Sequence, residues 1–489
     1  MRSIIRVLTV IILAAASPAI SQSWSPEPWI ADLKQARQAF DTKYANLDWL
    51  VRDRGVNLNS LFEQASDRLR SAQSDEEARK IMDRLVERVA DGHVAIKWPR
   101  LTSDRQKVGV ARTTKYDACT DLGFDESRSS PGVGMALPGY RAVGEQSLFP
   151  SGIIPVGGHR IGVIRISGFE PQGSPSVCHA AFQALHYLRD KPCNDKCQNS
   201  VLTWSYNRLT WALEERVRAL RATGATVLLI DVTANGGGTE WAEAAARIVS
   251  PKPLTSEAMG FVRGPHWAAQ WATLHTQLRS AATSATEPDR IRLLQWADTA
   301  SQNRKKAEQS CVTDQICNLV VRGGYATGLV GSARADEFAG KAWGNLVFGI
   351  ARFPYHDSVW TGPLAVLVDD QTWSAAEQFA AVLQDNGAAV IVGNRTGGAG
   401  CGYTNGGTPT ILKNSGATLE LPDCARFRSD GSNEVAGVIP DVLTGMRAID
   451  GQAFKANLIT EHLAQVVDLA NRQRAAPVVG TFGADRGVD

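Results

Sequence analysis

The 489-residue chain has almost no net charge: 52 Lys and Arg against 50 Asp and Glu leave +2. Without a basic excess there is no electrostatic footprint for a nucleic-acid backbone. Nor is there an apolar run of roughly 18 residues or more, the length a transmembrane helix needs. No Cys-x-x-Cys pair with partner histidines occurs, so nothing calls for zinc, and no cofactor motif is present. Gly-x-Ser-x-Gly is missing too, which disfavours an ordinary α/β-hydrolase. The one glycine-rich turn lacks the Lys-Ser/Thr of a phosphate loop. Hydrophobic residues at 44% and charged residues at 21% are ordinary globular usage. The expectation is a soluble protein long enough for two or three domains.

The N-terminus reads as a targeting device. Arg2 and Arg6 precede an apolar run over residues 7–16, and small residues at 17–21 offer cleavage sites. That is the pattern of a signal peptide over residues 1–21, an interfacial anchor being the other reading. Its removal brings the net charge of +2 to zero, and the mature protein is expected to be periplasmic or extracellular. Eight cysteines suit such an oxidising compartment. Sequence-local pairing gives Cys193–Cys197, Cys311–Cys317 and Cys401–Cys424, leaving Cys119–Cys178, although eight cysteines allow about a hundred connectivities.

Along the chain, residues 28–90 repeat apolar positions at three- and four-residue spacing, so 22–99 is expected to be a helical domain. Residues 100–155 are irregular and read as a linker or small subdomain. A first strand is predicted at 162–167, an amphipathic helix at 203–223, and a buried strand at 227–232 followed by the Asn-Gly-Gly-Gly turn at 235–238. Strand, helix and strand return at 364–368, 374–384 and 389–392. Alternating buried strands and helices argue for an α/β core, placed at 156–475 with a Trp-bearing insertion at 255–345. Residues 476–489 are expected to form a loose tail.

Three segments can carry chemistry, and each has a plainer explanation. Glycines at 236–238 let backbone N–H groups face an oxyanion, or simply make a tight turn. Ser374 and Glu377 have the spacing of a capping box, yet a serine at a helix start also sits beside free amides. His93, in Asp91-Gly92-His93, is either a solvated loop residue or a base titrating near neutrality. In the insertion, Trp267, Trp271 and Trp296 either line a cleft or form a private core, and the helical spacing of the first two favours core.

Taken in order, the motifs resemble the C-terminal processing (tail-specific) family of serine peptidases, including its tricorn-core branch. The matching pieces are residues 91–93, 161–166, 229–238, 366–377, 383–387, 392–398 and 434–441. The resemblance implies a Clp protease/crotonase-like spiral of ββα units, with Ser374 as nucleophile. It also implies an oxyanion hole from the amide of Ala375 and one from Gly236 or Gly237. Many members carry a lysine 25 residues after the serine, where this chain has Ala399, so a Ser–Lys dyad is absent. The tricorn branch instead uses a histidine and a glutamate, whose places here are His93 and Glu434. The serine that precedes that histidine is Gly92 in this chain. Residues 100–155 lack the strand–helix pattern of a complete PDZ domain. The implied activity is cleavage of a peptide or protein substrate through a Ser374 acyl-enzyme, His93 serving as base and Glu434 as a supporting acid group. An esterase on the same frame, or a non-catalytic protein binding peptide or apolar ligand, are the alternatives. Oligomeric state is not readable.

Overall fold

The computed structural model describes residues 24–99, 116–309 and 318–475. The signal-peptide segment 1–21, the tail 476–489 and the Cys311–Cys317 pair lie outside them. Among the described residues no helix is long and apolar enough to cross a membrane.

The α/β reading is met by a seven-stranded mixed sheet whose strands lie side by side in chain order. Arg141–Ala142, Ser151–Val156 and His159–Arg165 are antiparallel neighbours; Val227–Asp231, Leu364–Val368, Val390–Gly393 and Val442–Leu443 continue the sheet in parallel. Each residue of Val227–Asp231, Leu364–Val368 and Val390–Gly393 is buried, as expected for parallel strands covered on both faces. On one face lie the helices Asp195–Ala222, Trp241–Val249 and Ala375–Asp385, whose core includes Trp241, Phe169 and Phe379. The alanines of Ala375–Asp385 let this helix sit close to its neighbours; residues 375–383 are all buried. The other face is covered by Gln452–Ala475, which sets Ile459, Leu463, Val466 and Val467 against Leu367, Val390 and Val392.

Three N-terminal helices, Glu27–Lys43, Leu58–Ser71 and Asp75–Val89, form a separate layer. Asn57 and Ser74 cap the second and third by accepting from Ser60 and Glu77 amides. Their core is shared with Leu412, Leu419 and Val435 from late in the chain. Ala95–Lys97 also pairs antiparallel with Thr418–Glu420. The layer is thereby fixed onto the core, and the loop at 91–93 with it.

Two differences from the sequence reading concern the sheet. The strand expected at 162–167 is His159–Arg165, and its hairpin partner Ser151–Val156 falls largely within the segment read as linker. Pro155 and the glycine pair 157–158 disguise that partner, since these residues signal a turn rather than a strand. Residues 255–345 contain Ala258–Val262, the helices Pro265–Ser284 and Asp289–Glu308, and Val320–Tyr325. They are tied to the core because Cys424–Phe427 pairs with Ala258–Val262.

Candidate active site

Ser374 ends a tight connection from the Leu364–Val368 strand to the Ala375–Asp385 helix. Its backbone has φ 55° and ψ −117°, a left-handed conformation that costs a non-glycine residue on the order of 1–3 kcal/mol. The surroundings impose it. Asp369 Oδ1 accepts from the Ala234 amide at 2.8 Å, Thr372 Oγ1 donates to Val232 O at 3.0 Å, and the Trp373 amide donates to Asn235 O at 3.0 Å. The serine is therefore held against the Asn-Gly-Gly-Gly turn.

That turn is itself pinned. Buried Asn235 donates through Nδ2 to Ile166 O at 3.0 Å and accepts from the Gly237 amide at 2.8 Å. Gly237 has φ 106°, and a Cβ there would stand 2.9 Å from Ser374 Cβ and 3.0 Å from the Ala375 nitrogen. Only glycine satisfies both the dihedral and the approach. The Ala375 amide, first in its helix, has no intrahelical acceptor. The Gly236 amide makes no hydrogen bond among the described residues.

Glu377 has a larger role than helix capping. Its buried carboxylate accepts from the Ser374 amide at 2.9 Å and the Ala399 amide at 2.7 Å through Oε2. Through Oε1 it accepts from Thr396 Oγ1 at 2.6 Å and the Gly398 amide at 2.8 Å. One side chain thus locks the serine to the loop at 396–399.

The same loop holds the histidine. His93 Nδ1 lies 2.6 Å from Ala399 O. A carbonyl only accepts, so Nδ1 carries the proton and Nε2 keeps its lone pair. The His93 amide donates to Asp91 Oδ1 at 2.9 Å, and Asp91 Oδ2 accepts from Tyr44 Oη and Asn46 Nδ2 at 2.9 and 2.8 Å. Burial pushes the Asp91 carboxyl up to about 6 despite these donors. His93 moves the other way: burial lowers its pKa, the bond to Ala399 partly opposing. Gly402 packs on the ring so closely that a Cβ would sit 3.0 Å from Nε2.

The two departures at 92 and 399 are one contact. A Cβ on Gly92 would come within 2.9 Å of Ala399 Cβ, so a serine at 92 needs this loop displaced.

Glu434 is buried and pairs with Arg426, whose Nε and Nη2 both donate to its carboxylate, the latter at 3.0 Å. No hydrogen bond joins Glu434 to His93 or to Ser374. Arg426 supplies the link, donating from Nη2 to Ser374 O at 3.2 Å and Gly400 O at 3.0 Å. Glu257 lies 3.6 Å from Arg426 Nε with neither carboxylate oxygen hydrogen-bonded. Burial raises its pKa well above the usual range and the Glu434 charge adds to this. The guanidiniums of Arg426 and Arg428, 3.6 and 4.0 Å from its carboxylate, oppose that rise. Sequence reading missed Arg426 and Glu257 altogether, and neither has a local pattern to signal its role.

Ser374, His93, Ala375 and Arg426 face one cavity of about 970 Å³, with Tyr403, Trp267 and Trp271 also lining it. Trp267 and Trp271 answer to both readings, each 5% exposed and packed on Phe261 yet lining the cavity, whereas Trp296 packs on Phe338 and Trp343 and is not among the cavity's lining residues. Cys401 and Cys424, joined as a disulfide, line it as well. Cys119–Cys178 and Cys193–Cys197 are likewise paired as expected. Among the described residues, one cluster has metal-ligating residue types, Asp117, Cys119 and His179; its cysteine sulfur is spent in the Cys178 disulfide.

The model of peptidase family S41 matches residues 160–444, more than half of the chain. The chain belongs to peptidase family S41. The family model and the motif order thus point to the same peptidase family. Among solved structures, mature CPAF superimposes with a TM-score of 0.60 at 16% identity, covering 93% of this chain and 99% of that one. Mature CPAF complexed with lactacystin gives 0.55 at 14% identity, covering 91% and 99%. At these identities the likeness is one of fold. A curated relative from Chlamydia muridarum (strain MoPn / Nigg), an uncharacterized protein, is 44% identical over 55 residues, 11% of this chain. The match spans 9% of that relative's length. A second, from Chlamydia trachomatis serovar D, has the same identity and extent.

Proposed function

We propose that this S41 member is an exported peptidase that cleaves peptide bonds through a Ser374 acyl-enzyme, with His93 as general base. The supporting observation is the His93 Nδ1 bond to Ala399 O, within a cavity that Ser374 shares. It leaves Nε2 unprotonated to accept the Ser374 hydroxyl proton as Oγ attacks the scissile carbonyl carbon. The oxyanion forms beside the Ala375 amide, and a second donor comes from the glycine turn. Gly236 is the less encumbered candidate, because Gly237 already donates to Asn235. Loss of one such donor typically costs about 10²–10³ in rate. The imidazolium then protonates the leaving amine, and the returning neutral imidazole activates water to release the acyl group.

Glu434 supports this chemistry through Arg426 rather than by touching the histidine. It keeps a buried cation in place, and that cation grips Ser374 O and Gly400 O. The disulfides support export to an oxidising compartment. Mature protein and its Ser374→Ala variant should be given a diverse peptide library and the products read by mass spectrometry. Cleavage by the wild type alone is expected. Equal cleavage by a folded Ser374→Ala variant rules out the assignment.

A further inference from the structure

A second cavity of about 310 Å³ lies beyond the glycine turn, and nothing in the chemistry above uses it. The two cavities meet at the glycine turn beside the serine. Gly238 lines both, and Gly237, which lines the second, is the residue packed on Ser374 Cβ. A substrate whose scissile carbonyl sits at the oxyanion amides therefore has space on either side of the turn.

The lining has a definite chemistry. Leu148, Phe149 and Leu209 make an apolar wall, and the segment Ser167–Gly168 faces it where the His159–Arg165 strand has left its pairing. The backbone groups of Ser167 and Gly168 make no hydrogen bond among the described residues, although their neighbours do. The Ile166 amide donates to Asp231 O, and the Phe169 amide donates to Gly237 O. Unpaired main-chain groups beside an apolar wall suit an extended peptide, which supplies main-chain partners and buries alternate side chains. At the rim Arg128 and Glu170 pair with each other, so the cavity offers no uncompensated charge.

We propose that this second cavity is a substrate subsite, taking an apolar residue of an extended peptide on the opposite side of the scissile bond from the large cavity. The proposal rests on the peptidase reading and makes the enzyme one that cuts within a chain, with residues required on both sides. Gly168 offers a direct probe. Its φ is not in the left-handed region, and a Cβ there would meet nothing nearer than Gly237 O at 3.9 Å. Gly168→Leu therefore adds an apolar side chain to the cavity lining with no clash at its Cβ.

The experiment takes a synthetic peptide whose cleavage site in the library digest is mapped, and shortens it stepwise from each end. For the wild type, removing the apolar residue on one side should lower kcat/KM roughly ten- to hundredfold, the effect of burying one aliphatic side chain. In Gly168→Leu that ratio should fall to near one, while the ratio for the other side persists. A wild type indifferent to truncation overturns the subsite whether or not the variant folds, and so does a variant that keeps the full ratio. A wild type that cleaves no peptide of any length overturns the peptidase reading itself, and the subsite with it.

Discussion

Replacing Glu377 by glutamine should damage both stability and catalysis, for a reason that can be counted atom by atom. The carboxylate accepts four hydrogen bonds, two at each oxygen. Glutamine keeps one acceptor oxygen and turns the other site into an NH₂ donor. Placed at Oε2, the NH₂ confronts the Ser374 and Ala399 amides; placed at Oε1, it can donate to the Thr396 hydroxyl, which rotates to accept, and confronts only the Gly398 amide. The second placement is the cheaper one, and even there one charge-assisted bond is lost and the Gly398 N–H is left without an acceptor. At about 1.5–3 kcal/mol for a bond to a charged group, the expected loss is at least about that much. Catalysis should fall further, because Ala399 carries the carbonyl that fixes His93. A displacement of about 1 Å can cost 10²-fold. Denaturant midpoints report the first effect, and the rate of Ser374 labelling by a fluorophosphonate reports the second. A Glu377→Gln protein within about 1 kcal/mol of wild type that labels at the wild-type rate would refute the reasoning.

Other consequences are equally specific. The kcat/KM profile should lose activity as pH falls through the His93 pKa, which burial lowers, so the acid-limb midpoint should lie below the ordinary value of about 6.5; a midpoint above it contradicts a buried neutral base. Asp91 has its folded pKa raised to about 6, so its stabilising contribution is full below the unfolded value and fades as pH rises through 6. Asp91→Asn lacks this titration. The stability of the variant relative to wild type should thus rise between about pH 4 and 7, by at most about 3 kcal/mol, and a flat difference would count against the assignment. Replacing Cys401 and Cys424 together by serine opens a loop with a sequence separation of 23 and should cost about 2–4 kcal/mol. Because Ala399, Gly400 and Gly402 lie beside that bridge, labelling of Ser374 should slow as well; an unchanged labelling rate would mean the loop holds His93 without it.

The parts of this molecule that sequence made legible are those with local causes. Val227–Asp231 and Leu364–Val368 are unbroken apolar runs because both faces are covered, and the Ala375–Asp385 helix carries its start signal in Ser374 and Glu377. Ser151–Val156 was hidden by its own proline and the glycines after it, while Gln452–Ala475 went unread although it covers one face of the sheet. Motif order singled out Ser374 and His93, which line one cavity. What orients them was not legible, because it is made by groups that motifs do not encode. The Ala399 carbonyl is a backbone atom, and Arg426 arrives from a strand paired with the insertion. The missing lysine and the missing serine looked like two independent losses in sequence, yet in space Gly92 and Ala399 touch.

The most direct test is whether Ser374 becomes acylated by a peptide substrate in a His93-dependent way. A rapid-quench reaction of wild type, Ser374→Ala and His93→Ala with a cleaved peptide, followed by mass spectrometry of the intact protein, reads this. The account predicts a transient adduct on Ser374 in the wild type, none in Ser374→Ala, and formation slowed by at least about 10²-fold in His93→Ala. Peptide cleavage with an adduct elsewhere, or undiminished cleavage by a folded Ser374→Ala protein, would contradict it.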